Sequence, residues 1–178
     1  MTPQERAETA AARMWANDRA SQWLGLTLDR VGPGEAVMSL QVEAHHANGH
    51  GICHGGYIFT LADSAFAFAC NSFNRLAVAQ HNTISFLRPG RVGQRLTATA
   101  RQTAAQGRSG VYDVEVTAQA GAAGVEAGET GPETGPEIIA TFRGVSREIG
   151  GTHFDEDAAP EAAPDPAPDH APQTAEET

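Results

Sequence analysis

Asp63 is the residue whose type and position carry the clearest chemical potential. It lies within the longest apolar run of the chain, Tyr57–Cys70. An ionised carboxylate in apolar surroundings is costly unless it is paired, hydrogen-bonded or held near water for a purpose. The position predicts a nucleophile or a general base, with a carboxylate that caps a loop or pairs with an arginine as the structural alternative.

A second candidate group is the glycine pair that follows His54 and precedes the same run. Backbone N–H groups at a helix start favour negative charge, and glycine lets a substrate oxygen approach them closely. Gly55 and Gly56 therefore suit the oxyanion of an ester or thioester, with a plain glycine turn as the alternative. Because Asp63 lies eight residues beyond Gly55, about 12 Å along a helix, one chain cannot bring both to one carbonyl. A site shared between two chains is predicted.

Hydrogen-bonding side chains lie on either side of the glycine pair. Asn48 precedes the pair, and Thr60 and Ser64 follow it one helical turn apart. These groups could position a substrate, although for each hydroxyl a bond to a helix carbonyl one turn back is the favoured interpretation.

Three histidines at four-residue spacing, His46, His50 and His54, together with Cys53 are the only arrangement that suggests a zinc site. The glycines between them disfavour the helix that would bring them to one face, and no second Cys or His pair completes a site. We therefore predict no metal. All 12 basic residues are arginine, which excludes P-loop, Schiff-base and S-x-x-K enzymes.

The elements that must position these groups follow from apolar periodicity. A helix is predicted from Pro3 to about residue 18, and the run around Asp63 is predicted to be a helix enclosed on nearly all sides. Alternating apolar residues predict six strands: Leu26–Val31, Glu35–Val42, Val78–Leu87, Leu96–Thr103, Val111–Ala120 and Ile138–Arg147. Two strands, a buried helix and a four-stranded meander make an α+β domain whose antiparallel sheet wraps around the central helix. This is the outline of a hotdog fold.

The net charge of -10 is concentrated in two segments. Residues 121–137 repeat Gly, Glu and Pro and are predicted to form a low-complexity loop. Residues 152–178 hold eight acidic side chains and five of the ten prolines, which predicts a disordered acidic tail and a hotdog domain at 1–151. The remaining residues have ten acidic and twelve basic side chains without a basic cluster, so nucleic-acid binding is not expected.

No feature of the sequence predicts a membrane-spanning segment or a location in an oxidising compartment. The N-terminus lacks the basic and apolar segments of a secretion signal, and the longest apolar run is too short to span a bilayer. Two cysteines are too few for a disulfide scaffold. A cytoplasmic location is predicted.

Several motifs together resemble the phenylacetic acid degradation thioesterases, a family of hotdog acyl-CoA thioesterases. The resemblance covers about residues 15–151, apart from 121–137, and is carried by Asn48–Gly56, Thr60–Ala67, Ala69–Ser72, Ile84–Gly90, Gly110–Val116 and Phe142–Gly144. It implies a tetramer built from dimers, with a site shared across the dimer. It also implies aryl-acetyl-CoA substrates such as phenylacetyl-CoA or hydroxyphenylacetyl-CoA.

The resemblance also implies roles for individual residues. Asp63 matches the family's nucleophile or general base, and Gly55 matches its carbonyl-polarising backbone amide. His54 matches the histidine before the glycine pair, and Asn48 matches the loop asparagine that positions the attacking water or the carbonyl.

The prediction is therefore an acyl-CoA thioesterase without a cofactor, coenzyme A being part of the substrate. Gly56 and Thr60 are expected to contact the substrate, and Arg88 and Arg91 to meet the coenzyme A phosphates. Two alternatives stay open. One is a hotdog hydratase or dehydratase acting on acyl-CoA or acyl-carrier protein, and the other is a module that binds acyl-CoA without turning it over.

Overall fold

The structure, a computed structural model, describes residues 1–119 and 135–157 of the chain. The low-complexity loop predicted at 121–137 lies almost wholly outside these residues, and so does the predicted tail from residue 158 onward. The predictions for those parts stay predictions.

One antiparallel sheet of six strands forms the frame of the described residues. Its strands lie in the order β1-β2-β4-β5-β6-β3, so that β1 and β3 are the two edges. The strands are β1 (Leu26–Gly32), β2 (Glu35–Gln41), β3 (Ala77–Phe86), β4 (Arg95–Gln106), β5 (Ser109–Ala118) and β6 (Glu137–Glu148).

The predicted four-stranded meander is only partly correct. Strands β4, β5 and β6 pair in succession, but β3 pairs with β6 and not with β4. The physical reason is the helix that precedes β3, since it crosses the inner face of the sheet and delivers the chain to the edge away from β2. Strand β4 then returns to pair with β2.

That helix, α3 (Gly55–Asn71), is the predicted central helix, and it contacts all six strands. Its buried apolar residues recur at helical spacing and include Ile58, Leu61, Ala62, Ala65, Phe66 and Ala69. The alanines let the helix approach the sheet closely. Gly144 on β6 is required for the same reason, because a Cβ there would lie 2.9 Å from the Phe66 ring. The hotdog arrangement of a sheet wrapped on a buried helix is confirmed.

The N-terminal helix is shorter than predicted. Helix α1 (Pro3–Trp15) begins at a capping box between Thr2 and Glu5, and a separate short helix, α2 (Arg19–Trp23), begins after Asp18, whose side chain accepts from the Ser21 N–H. In the part of the chain that is described, no helix combines the length and apolarity needed to cross a bilayer.

The predicted end of the folded unit at residue 151 is too early. His153 bonds through Nε2 to the Asn71 Oδ1 at 2.8 Å, and Asn74 accepts the backbone N–H groups of His153 and Phe154. Glu156 makes a bidentate ion pair with Arg6 at 2.6 and 2.8 Å. Residues 152–157, here called the C-terminal clip, therefore pack on α1 and on the end of α3. Composition did not indicate these contacts, because their partners lie far away in the sequence.

Candidate active site

The start of α3 presents one open backbone donor. His54 caps the helix by accepting the Gly56 N–H on Nδ1 at 2.9 Å, and the His54 carbonyl accepts the Tyr57 N–H. The Gly55 N–H has no hydrogen-bond partner among the described residues. The cap therefore satisfies the second N–H of the helix and leaves the first available to a substrate oxygen.

Both glycines have close neighbours, and neither has an unusual backbone angle. A Cβ on Gly55 would lie 3.1 Å from Cζ of Phe86, the last residue of β3. A Cβ on Gly56 would lie 3.1 Å from the capping Nδ1 of His54. The Phe86 ring, which is half exposed, thus lies directly beside the open donor. Gly56, by contrast, has its N–H occupied by His54, and its contact with substrate stays a prediction.

Asp63 lies in the third turn of α3 and is half-buried. Its Oδ1 accepts a hydrogen bond from Asn82 Nδ2 at 2.7 Å. Burial raises the pKa of Asp63 above its ordinary value, and the bond from Asn82 partly opposes that rise. No ion pair with an arginine holds this carboxylate among the described residues, so the structural alternative of a paired charge is not what is observed.

Asn82 is the residue of this site that sequence reasoning missed. It lies on β3, and its own Oδ1 is buried without a hydrogen-bond partner. The usable signal was a polar residue at an inward position of a strand. That signal was hidden because a bulge between Ala79 and His81 shifts the alternation of β3.

Asn48 lies in the loop before α3. Its Oδ1 accepts the His50 N–H at 2.9 Å, and its backbone bonds to Gly51 and Ile52. This small turn fixes the side chain, and no described group accepts from its Nδ2. Asn48 is thus available as a donor, as expected of a group that positions water or a carbonyl.

The two helix hydroxyls are engaged elsewhere. Thr60 donates its hydroxyl to the Gly56 carbonyl at 2.9 Å, which is the back-bonded alternative. Ser64 meets the Ser21 hydroxyl of α2 at 3.1 Å. The structure therefore gives Thr60 a helix-internal bond instead of the predicted free contact with substrate, although its oxygen can still accept.

The predicted phosphate-binding arginines border the same loop. The Cys53 N–H donates to the Gly90 carbonyl at 2.8 Å, and Ile52 forms an isolated bridge with Arg91, so this turn lies against the loop before α3. Both side chains are exposed, but Arg88 forms an ion pair with Glu137. Arg91 has no such pair among the described residues. Of these two arginines, Arg91 is the one that could bind a phosphate without first breaking an ion pair.

The cysteines and histidines do not form a metal centre in the described part of the chain. Across residues 1–119 and 135–157, no three His, Cys, Asp or Glu side chains lie close enough to hold a metal ion. Burial raises the pKa of the Cys53 thiol to about 11 and that of Cys70 to about 12, so neither is a thiolate nucleophile at neutral pH.

Within one chain the two candidate groups remain apart. Gly55 and Asp63 lie on the same straight element, two turns from each other, or about 12 Å of rise. A carboxylate that hydrolyses a thioester and the amide that holds its carbonyl oxygen must act on one carbon, so each needs its counterpart from elsewhere. A sheet wrapped around one buried helix, with a half-buried carboxylate on that helix and an open N–H at its start, points to the class of hotdog-fold thioester hydrolases.

Comparison with known proteins agrees with this class. The profile of the thioesterase superfamily matches residues 50–125. The acyl-coenzyme A thioesterase PaaI of Escherichia coli is 42% identical over 142 residues, which cover 80% of this chain and 91% of that protein. The chain belongs to the thioesterase superfamily and is a thioester hydrolase.

Solved structures are similar over most of the chain. The PaaI protein from the phenylacetic acid degradation operon of E. coli superposes with a TM-score of 0.75 at 40% identity, covering 85% of this chain and 99% of that one. The TT0310 protein of Thermus thermophilus superposes with a TM-score of 0.61 at 34% identity, covering 72% and 96%. The hotdog fold is therefore confirmed by comparison as well as by topology.

Proposed function

We propose that this protein is a cytoplasmic acyl-CoA thioesterase that hydrolyses aryl-acetyl-CoA esters, such as phenylacetyl-CoA and hydroxyphenylacetyl-CoA, in phenylacetate catabolism. The observation that carries the proposal is the half-buried Asp63, held by Asn82 and without an arginine partner among the described residues, on the helix whose start has an open N–H. The substrate class rests on the similarity to PaaI.

The Gly55 N–H would hold the thioester oxygen and stabilise the charge that develops on it. Asp63 then acts in one of two ways. As a base it removes a proton while water adds to the carbonyl carbon; as a nucleophile it adds directly and forms a mixed anhydride that water later hydrolyses. In both cases the C–S bond breaks, and coenzyme A leaves as a thiolate that takes up a proton.

The second half of each site would come from a second copy of the chain. Strand β3 is an open edge, and along it lie exposed apolar side chains at Val78, Phe86 and Leu87. Such an edge is suited to pairing with another β3, which would join two sheets into one. Both Asn82 and Phe86 lie on this strand, so pairing would bring the Asp63 of one copy towards the Gly55 of the other. We propose a dimer of this kind, and a tetramer of two such dimers.

The reaction would need no cofactor, since coenzyme A enters with the substrate. Arg91 is the better placed phosphate ligand, because Arg88 would have to exchange its ion pair with Glu137 for a phosphate.

A thiol-release assay over aryl and alkyl CoA esters tests the activity. Release of coenzyme A with the highest kcat/KM on aryl-acetyl esters is expected. A change in enoyl absorbance without thiol release would indicate the hydratase instead, and tight binding without any turnover would indicate a binding module.

Mixing two inactive variants tests the shared site. An Asp63→Asn chain and a Gly55→Pro chain should rescue each other, because a heterodimer has one site in which both groups are intact. Random pairing makes half the dimers heterodimers, so about a quarter of wild-type activity should return. Proline is tolerated at the first helical position; it removes the donor and also adds ring atoms, with its Cβ against Phe86.

The matched control for that mixture is Gly55→Ala, which adds a Cβ against Phe86 but keeps the N–H. It should retain far more activity than Gly55→Pro. If native mass spectrometry detects heterodimers and the activity stays at the sum of the two mutants, the shared site is wrong.

A further inference from the structure

His46 lies in a single 3₁₀ turn, Ala44–His46, ahead of the loop that carries Asn48. Only 2% of it is exposed. Its Nδ1 accepts the Glu43 N–H at 2.9 Å, and its carbonyl accepts the His54 N–H at 2.9 Å. One residue therefore ties the beginning of the loop to its end.

The protonation state of this imidazole is determined by its contacts. A ring nitrogen that accepts an N–H carries no proton, so the proton of neutral His46 is on Nε2. Burial favours this neutral form by lowering the pKa of His46, and the neighbouring His45 acts in the same direction. The Glu43 carboxylate and the Leu24 carbonyl oppose them.

What distinguishes the imidazole from other rings at this position is its acceptor nitrogen. The Leu24 carbonyl lies near the ring but makes no hydrogen bond of ordinary geometry with the buried Nε2, so this donor is poorly satisfied. The ring also packs edge-on to Tyr57, with centroids 4.7 Å apart, and a phenyl ring could make that contact equally well. What an apolar ring could not supply is the acceptor for the Glu43 N–H.

The backbone carbonyl of His46 is connected to the open Gly55 donor through one intermediate residue, His54. His46 holds the His54 backbone, and His54 in turn caps Gly56 through its own Nδ1. That cap leaves the Gly55 N–H as the free group. If the loop shifts, the cap and the donor shift together.

We propose that His46 is a positioning residue of the thioesterase site. Its imidazole accepts the Glu43 N–H on Nδ1 and so holds the 3₁₀ turn whose His46 carbonyl bonds to the His54 N–H, and this arrangement makes the Gly55 N–H and the Asn48 amide face the substrate carbonyl. The role rests on the proposed function, in which those two groups meet the thioester.

The test compares two substitutions that separate the acceptor from the ring. His46→Asn places an amide oxygen close to the position of Nδ1 and keeps the acceptor, whereas His46→Phe keeps the contact with Tyr57 and removes the acceptor. His46→Phe should lower kcat by about 10–100-fold with little change in KM, because a displaced donor costs most in the transition state. His46→Asn should retain kcat within about fivefold of wild type.

Two outcomes would overturn the proposal: wild-type kcat in a folded His46→Phe protein, or an equal loss of kcat in both variants, which would indicate ring packing alone. Should His46→Phe not fold, the nitrogen chemical shifts of the wild-type imidazole decide. An Nδ1 that is protonated at the pH of activity contradicts the clamp, and an unprotonated Nδ1 supports it. Failure of the proposed function is distinguishable, because wild-type protein would then release no thiol.

Discussion

The first half of helix α3 and its C-terminal end handle polar groups in opposite ways. Along the first half, from Gly55 to Asp63, the Gly55 N–H is open, Asp63 has a single hydrogen bond, and the Oδ1 of its partner Asn82 is buried without a hydrogen bond. At the C-terminal end Asn71, Ser72 and Asn74 are all buried, and their side-chain oxygens and nitrogens are hydrogen-bonded.

The hydrogen bonds at the C-terminal end of α3 tie distant segments of the chain together. Asn71 donates to the carbonyls of Ala67 and Ala77 and accepts from the Ala77 N–H and from His153. Asn74, the one non-glycine residue with a positive φ in the described part of the chain, holds the C-terminal clip with both its oxygen and its nitrogen. These residues join α3, β3 and the chain end.

The difference has a physical meaning. Buried polar groups normally find partners, and those that do so in one chain stabilise its fold. Groups left incomplete in one chain are available to substrate, water or a second copy. Changes along the first half of α3 should therefore alter activity, and changes at its C-terminal end should alter stability.

The largest effect is expected from Asp63→Asn. The substitution keeps the shape of the side chain and removes the base or nucleophile, so kcat should fall by about 10²–10⁴-fold or more. Thermal stability should be unchanged or slightly higher, because a half-buried charge is lost. Thiol release and circular dichroism measure the two quantities.

A matched control for Asp63 is Asp113→Asn. Asp113 is also a partly buried carboxylate on a regular element, but it pairs with Arg143 on the sheet. Its activity should stay near wild type. Wild-type turnover by a folded Asp63→Asn protein would remove Asp63 from the mechanism.

Removing the partner of Asp63 should have a smaller effect with a diagnostic pH dependence. The Asn82 bond lowers the pKa of Asp63 against the rise that burial causes, so Asn82→Ala should raise that pKa further. Because the ionised carboxylate is the active form, the acid limb of kcat/KM should move to higher pH, with about a tenfold loss of rate.

The neighbouring Thr83 is exposed, and Thr83→Ala provides the control for the Asn82 variant. Its pH profile should match that of the wild-type protein. An acid limb that moves to lower pH in Asn82→Ala would mean that the bond does not stabilise the carboxylate.

The C-terminal clip should affect stability and not chemistry. A chain ending at Gly151 loses the bonds to Asn71, Asn74 and Arg6, and its melting temperature should fall by several degrees. A chain ending at Asp157 keeps them and should melt like the full protein. Both should retain kcat/KM, and equal melting temperatures for the two truncations would show that the clip does not contribute.

The stabilisation by the clip should also depend on pH. Hydrogen bonds from Arg6 and then Asn74 lower the pKa of Glu156 from 4.5 to about 2. A lowered carboxyl pKa stabilises the fold above the unfolded value, and the gain is lost as pH falls from about 4.5 to about 2. The difference in melting temperature between the full chain and the chain ending at Gly151 should narrow over this interval.

The smallest effect is expected at Thr60, although it lies near the helix start. Its hydroxyl donates within the helix, so Thr60→Ala should change kcat/KM by no more than about threefold. A loss as large as that of Asn82→Ala, measured in the same thiol-release assay, would instead make Thr60 a substrate contact.

Much of the architecture was predictable because it is encoded locally. The apolar spacing along α3 indicated its burial, and alternation indicated the six strands, although not that β3 joins the far edge. The glycine pair and the isolated carboxylate indicated a hydrolytic site, because the cost of burying a charge can be recognised from a few neighbouring residues.

The tertiary structure decided which groups meet. The bond between Asn82 and Asp63 depends on a bulge in β3 and on where α3 crosses the sheet. The contact of Phe86 with Gly55 and the hold of Asn74 on residues about 80 positions away depend on strand register in the same way. Composition and periodicity indicate which residues of each segment are buried and which are exposed. Which two side chains contact each other is determined only when distant segments pack. For that reason the sequence by itself determined the fold class and the kind of chemistry, and packing determined the partner of Asp63 and the contacts of residues 153–156.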